Sequence, residues 1–341
     1  MKFGKIQIIA VILLLIGSLP AFGGGIVKKA QVGFRFLENP VSAEAVGRGG
    51  LGVAMFRNAN SVFWNPGGLG WIEGKMDFNL NYTKGIADIN HTSVVGAYNW
   101  AGVGVIAVDV IAMDYGDFYG TRRADNADGF IDTGVFSPNA WAVGITFSQQ
   151  ISDRFSYGVH LKYARQDLGD AWIATAGKDV NDPQLAITQK AYAHSEPALD
   201  IGAVYDFFYH GIRFGAVIQN ISREIRYEEE EFPLPFAVGF SLTVDPWSIF
   251  RPEDKTNSLV IGFESRHPRD FKEKLKFGAE FTSHEILSLR AGYMDNYDER
   301  GLTAGFGLNK KLSHAGFRLD YAFQDFGVFG GVHIFSFGVT Y

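Results

Sequence analysis

The chain has 341 residues, 47% of them hydrophobic and 15% aromatic, with 41 Gly and no Cys. A net charge of −6 without any basic stripe argues against a nucleic-acid partner, and the lack of Cys leaves no disulfide framework and no thiolate metal site. Mean hydropathy is close to zero, as expected where lipid-facing apolar residues alternate with polar lumen residues in a transmembrane barrel.

Residues 1–23 read as a secretory leader. Lys2 and Lys5 precede an apolar run from Ile6 to Ile16, and small residues up to Gly23 supply a cleavage point. The apolar run is shorter than the roughly 20 residues that a spanning helix needs. From Gly24 to Gly74 the chain is Gly-rich and shows no strand periodicity. Beyond it, nothing reads as a spanning helix. The most apolar stretch, Ala101 to Met113, is too short and carries Asp109. A chain that crosses a membrane without such a helix has to close a barrel, because lipid leaves no backbone polar group unpaired.

Residues 75–341 supply the strands. Met76, Phe78, Leu80 and Tyr82 alternate with Asp77, Asn79, Asn81 and Thr83, and the same period of two recurs to the last residue. Strands are predicted to start near residues 75, 91, 102, 139, 154, 196, 211, 234, 258, 273, 285, 301, 313 and 330. Their number is even, and most have the ten-residue length of a tilted membrane strand. The connections alternate between long ones (114–138, 167–195, 223–233) and tight ones at Trp100-Ala101, Ile151 to Asp153, Tyr209-His210 and Lys310 to Leu312. One tight-side connection, Asp245 to Asn257, is long enough for a helical turn.

Asp109, His160, Lys162, Asp200, Arg213, Glu264, Lys276, Glu280, Arg290, Arg318 and Asp320 all fall on the lumen face of these strands. A Lys or Arg facing lipid at mid-depth would cost about 2–4 kcal/mol. The last strand ends Phe335, Phe337, Val339, Tyr341 at alternate positions, and this resembles the terminal signature read by the barrel assembly machinery.

Enzyme motifs are missing. Gly47 to Gly52 has no preceding strand and no βαβ context, so it is not read as a nucleotide loop. There is no nucleophile elbow, P-loop or zinc-helix motif. Asp125 to Asp132 is rich in oxygen donors, but Ala124 would occupy the first ligand position of an EF-hand, so it reads as a solvated loop. The chain is expected not to be an enzyme and to hold no metal or cofactor.

Three ordered segments resemble the PorV/PorQ proteins, which are similar to FadL-type outer-membrane transporters. The first runs from Gly33-Phe34-Arg35-Phe36-Leu37 through Ala43 to Gly50 and on to Phe63-Trp64-Asn65-Pro66-Gly67-Gly68-Leu69. The second is Gln219-Asn220-Ile221 leading to Pro233-Leu234-Pro235, and the third is Leu319 to Tyr341. Arg48 and Gly67 depart from the family pattern, as does Arg57-Asn58. The resemblance implies a barrel of about fourteen antiparallel strands in the Gram-negative outer membrane, with residues 24–74 folded into the lumen as a hatch. Gly47, Gly49 and Gly50 would let that backbone turn tightly, and Asn65-Pro66-Gly67 reads as a turn.

Three functions stay open. The preferred one is transport of hydrophobic small molecules, with Gly102 and Gly104 on the third strand as a weak point in the wall. The alternative is a type IX secretion shuttle that binds the C-terminal domains of exported proteins through its outer loops, using aromatics such as Tyr115, Phe118, Tyr119, Phe130 and Phe136. A structural barrel with neither role is the third.

Overall fold

The computed structural model describes residues 32–176 and 186–341. The leader expected over residues 1–23 lies outside the described residues, as do residues 24–31 of the segment that follows it.

Eighteen strands are present among the described residues. The first six are β1 (Met76–Lys84), β2 (Asn90–Trp100), β3 (Gly104–Asp114), β4 (Phe118–Arg123), β5 (Phe130–Phe136) and β6 (Asn139–Ser152). Then come β7 (Phe155–Ala176), β8 (Ala186–Asp206), β9 (Arg213–Ile221), β10 (Ile225–Arg226), β11 (Glu231–Phe232) and β12 (Ala237–Val244). The last six are β13 (Asn257–Pro268), β14 (Lys274–Ser283), β15 (Leu287–Asp295), β16 (Leu302–Lys311), β17 (Gly316–Asp325) and β18 (Gly331–Thr340). Fourteen of them form one closed antiparallel barrel, while β4–β5 and β10–β11 are separate hairpins. Closure is made by β1 against β18, from Asp77 opposite Thr340 to Lys84 opposite His333. The final residue completes the seam: the Tyr341 carbonyl accepts from the Lys75 and Met76 amides at 2.7 and 2.9 Å.

In β1 the apolar residues are the exposed ones and the polar residues the buried ones. Met76, Phe78, Leu80 and Tyr82 point out, while Asp77, Asn79 and Asn81 are enclosed. Phe240, Leu289, Leu319 and Phe335 continue the outward apolar band around the barrel. This inverts the pattern of a soluble protein and fits a wall whose solvent is lipid. Among the described residues no helix is long and apolar enough to cross a membrane.

Outer-membrane barrels carry short turns on the periplasmic side and long connections outside, which orients this one. The inner connection after β12 holds a short helix, Pro246–Phe250, capped by the Asp245 carboxylate on the Ser248 amide at 3.3 Å.

Three details differ from the sequence reading. The stretch 167–195 is not simply a loop, because β7 and β8 run on as a paired ribbon to Ala176 and Ala186, so β8 begins ten residues earlier than its expected start near 196. Its alternation is blurred above the barrel because no lipid and no lumen sort the two faces there. The stretches 114–138 and 223–233 contain the β4–β5 and β10–β11 hairpins. Gly102 lies in the inner turn at φ 80° and not on β3, which starts at Gly104, so the idea of a weakened third strand loses that residue.

Candidate functional site: the barrel interior and its outer mouth

The segment from Phe34 to Ile72 lies within the barrel and reaches the wall on opposite sides. It is built of a short α-helix (Ala43–Gly47) and 3-10 turns at Arg35–Glu38, Ala59–Phe63 and Pro66–Trp71. Local chemistry sets these turns. The Asn58 side chain accepts from the Asn60 amide at 3.0 Å, and the Asn65 side chain accepts from the Gly67 amide at 2.9 Å, with Pro66 pre-set for the first turn position. The Asn65 amide nitrogen also donates to the carbonyls of Val53 (2.8 Å) and Ala203 of β8 (3.0 Å), tying the segment to the wall.

Backbone meets backbone where the wall offers inward-facing glycine. Gly158 faces Pro66, Gly215 faces Val53, Gly278 faces Arg48 and Gly292 faces Gly49, while Gly202 makes room for the Asn65 side chain. A side chain at any of these would hold the segment off the wall. Gly49 and Gly50 have φ of 75° and 77°, a left-handed conformation that non-glycine residues rarely adopt.

The charged residues placed on the lumen face form bonded clusters. Arg48, 1% exposed, reaches Glu44 at 3.0 Å and Glu280 of β14 at 3.1 Å. Glu280 also pairs with Arg290 of β15, which reaches Asp320 of β17 at 2.6 Å. Lys276 pairs with Glu264 at 2.6 Å, and the second oxygen of Glu264 accepts from the Gly52 and Val53 amides, each at 3.1 Å. On β3, β7 and β8, His160 lies between Asp109 (3.0 Å) and Asp200 (3.2 Å), while Lys162 reaches Asp200 at 2.7 Å. Arg318 meets Asp77 across the seam at 2.7 Å, and Asp77 accepts from the Ala59 amide at 2.9 Å. Arg213 stands apart near the inner end, 3.4 Å from Asp206 and stacked on Trp71. These ions are buried or, at Glu44, Glu280 and Arg318, partly buried, and each has an opposite charge beside it, as burial requires.

Two cavities flank this core. One of about 410 Å³ opens outward and is lined by residues including Arg35, Glu38, Asp109, His160, Lys274 and Arg300. The other, about 500 Å³, opens inward among Glu44, Arg57, Asp77, Arg290, Lys311 and Arg318. The two are separated by the Arg48 cluster and by Trp64, whose indole N–H donates to the Gly50 carbonyl at 3.1 Å.

Above the barrel the chemistry reverses. The β4–β5 hairpin and the β7–β8 ribbon expose Phe118, Tyr119, Phe130, Val135, Leu168 and Trp172, with Tyr119 at 82%. Tyr115 and Phe136, grouped with these in the sequence, are only partly exposed. The 125–132 stretch forms the hairpin tip, where the Asn126 side chain donates to the Phe130 carbonyl at 2.8 Å and Asp132 accepts from the Gly134 amide. At the chain end Phe335, Phe337 and Tyr341 face outward, and Val339 is half-buried on the same face.

Sequence reasoning missed the weight of Arg48, which stood only as a departure from a pattern, and of Glu44, which was not singled out. Their spacing of four on a helix was the available signal. Asn220 stood in the sequence only as part of a family-like segment, without the role its φ of 59° and its amide bond to Asp200 (2.7 Å) give it, a bulge in β9.

A closed fourteen-stranded barrel with an outward apolar band and an N-terminal segment folded inside defines an outer-membrane β-barrel of the FadL-like fold. The Ralstonia pickettii toluene transporter TbuX superposes with a TM-score of 0.55 at 13% identity, over 91% of this chain and 98% of that one. The Pseudomonas putida toluene transporter TodX gives 0.57 at 10%, over 87% and 96%. A Pseudomonas aeruginosa FadL homologue gives 0.55 at 10%, over 88% and 98%. At such identities the likeness is one of fold alone. The model of the family described as type IX secretion system protein PorV matches residues 28–254, and the chain belongs to that family. No curated protein sequence matches the chain.

Proposed function

We propose that this barrel is a secretion-system component that contacts exported proteins at the cell surface, with its N-terminal segment acting as a hatch that closes the lumen. The observation that carries this reading is the contrast between a lumen held by buried ion pairs and an outer face extended into apolar hairpins. The Arg48–Glu280–Arg290–Asp320 chain joins the interior segment to three strands. A passage through it would have to separate charges that are costly to leave unpaired. The exposed Tyr119, Phe130 and Trp172 are of the residue types that dominate protein contacts. The family to which the chain belongs is described by its secretion role, which supports the same reading.

Uptake of hydrophobic small molecules is the second reading, favoured by the outward-opening cavity and by the names of the fold's neighbours. Mass spectrometry of material co-purified from the native outer membrane in mild detergent separates the two. Exported proteins sharing a C-terminal domain are expected; a bound fatty acid or hydrocarbon without such proteins would overturn the secretion reading. The same sample reports the mature N-terminus, expected at Gly24 after removal of the leader.

A further inference from the structure

The wall of the barrel has a notch. Along β8, the ladder to β9 extends only from Asp206 up to Leu199, where Ile221 is the last partner. The cause is the bulge at Asn220. Two residues of β9 stand opposite Asp200, the Asn220 amide goes to the Asp200 carboxylate at 2.7 Å, and the chain then turns inward, with the Asn220 side chain held on the Pro235 carbonyl at 2.8 Å. On its other side β8 remains paired with β7 throughout its outer half. Among the described residues, no backbone bond joins Ile187–Glu196 to any element other than β7. Ten residues of strand edge are therefore unpaired, roughly 34 Å at strand rise.

Pro197 shows which way this edge points. It has no N–H to give β7, so its place opposite Tyr163 is a pair that exchanges no backbone bonds, and Ser195 and Ala193, two and four residues away, share that orientation. Their amide and carbonyl groups face the notch. The height is set by Tyr163 and its neighbour Trp141, whose rings lie 6.2 Å apart as an aromatic girdle. Beyond Pro197 the edge is out of the hydrocarbon, where an unpaired backbone is permitted.

The inner face of this stretch is occupied and the edge is not. Tyr192 and His194 face inward against Tyr227, with ring centroids 6.5 and 5.9 Å apart, and Lys190 holds Glu228 at 2.5 Å. The outward positions Ala191, Ala193 and Ser195 are small and uncharged, so no outward side chain keeps another chain away between the inward Lys190 and Pro197. Beside the edge, the tip of the β10–β11 hairpin presents Glu229 and Glu230, exposed and in no ion pair among the described residues.

We propose that the free β8 edge from Ile187 to Glu196 is a docking site for an extended, basic segment of a partner polypeptide, which adds to the wall as a strand. Backbone bonds to the Ala193 and Ser195 groups supply the binding, and the Glu229–Glu230 tip selects for Lys or Arg at alternate positions. The inference rests on the reading of this chain as a protein-binding barrel, and names the chemistry of the partner.

The test uses the purified full chain in an uncharged detergent and a labelled ten-residue peptide alternating Lys and Thr, followed by fluorescence anisotropy. A copy N-methylated at alternate residues keeps the charge and cannot form the ladder. Binding is expected to weaken at least about tenfold, about 1.4 kcal/mol, for the N-methylated peptide and for Ala193→Pro, which removes an edge amide without touching β7. Glu229→Lys with Glu230→Lys is expected to shift preference to a Glu-Thr peptide. Equal binding of the N-methylated peptide, or no binding of the Lys-Thr peptide by the unaltered chain, overturns the proposal. If exported proteins co-purify but the peptide does not bind, only this inference falls and the secretion reading stands.

Discussion

Arg48, inside the barrel, has 1% of its surface exposed and lies within 3.1 Å of two carboxylates; Tyr119, on the hairpin above it, has 82% exposed. The two regions come from stretches of sequence that look alike, since neither shows barrel periodicity. Inside, space is finite, so the chain folds into tight turns and the Arg48, Lys276, Lys162 and Arg318 charges each meet a carboxylate. Above the rim no such limit applies, and the ribbons keep apolar side chains in water. A region that meets lipid, lumen or another protein is thus told apart by what its polar groups are bonded to, and not by its hydrophobic content.

Four measurements would break or sharpen this contrast. The largest effect is expected from Arg48→Met, which leaves Glu44 and Glu280 facing each other without their shared cation. A loss of about 3–5 kcal/mol is expected for breaking a buried pair on one side, read as a lower unfolding temperature of the heat-modifiable band on gels. An unchanged temperature would mean that the interior segment does not depend on its charges. Next comes Leu161→Arg, at an outward position with 53% exposure; a cost of about 2–4 kcal/mol is expected in lipid, measured by urea titration in vesicles. A neutral result would place that face in water.

Gly67→Ala is expected to cost about 1–3 kcal/mol, since a Cβ there would lie 2.8 Å from the Ala203 Cα. Conductance steps across a planar bilayer, absent from the parent protein, would report that the segment has shifted as well. The smallest stability effect belongs to Tyr119→Ser, within about 0.5 kcal/mol, yet it should lower the yield of co-purified exported proteins. If Tyr119→Ser changes stability as much as Gly67→Ala does, the outer hairpin is packed structure and not a free surface.

The terminal residues offer a related check on assembly. Tyr341→Ser removes the last outward aromatic while keeping the carbonyl that bonds Lys75 and Met76. Slower appearance of the folded barrel in cells, with normal stability once folded, would mark it as an assembly signal.

Much of the wall was legible because lipid and lumen impose opposite demands on alternate residues. Thirteen of the fourteen barrel strands begin within three residues of the positions that the alternation indicates; β8 is the exception. Asp109, His160, Lys162 and Asp200 were placed on the lumen face by parity alone, and all four are enclosed there. Parity says nothing about which ions meet. Arg48 and Glu280 are 232 residues apart, and no local pattern brings them together. The extended β7–β8 ribbon was likewise hidden, because above the membrane no second solvent enforces a period of two.

By itself, then, the sequence determined a lipid-facing barrel, its strand number and which side chains look inward, since each follows from a two-residue period acting over one strand at a time. The tertiary structure alone decided how the interior charges are matched, where the backbone of the inner segment can approach the wall, and where β9 stops short and leaves β8 with a free edge. Those features depend on shear and closure around the whole ring, a long-range constraint that no stretch of ten residues contains.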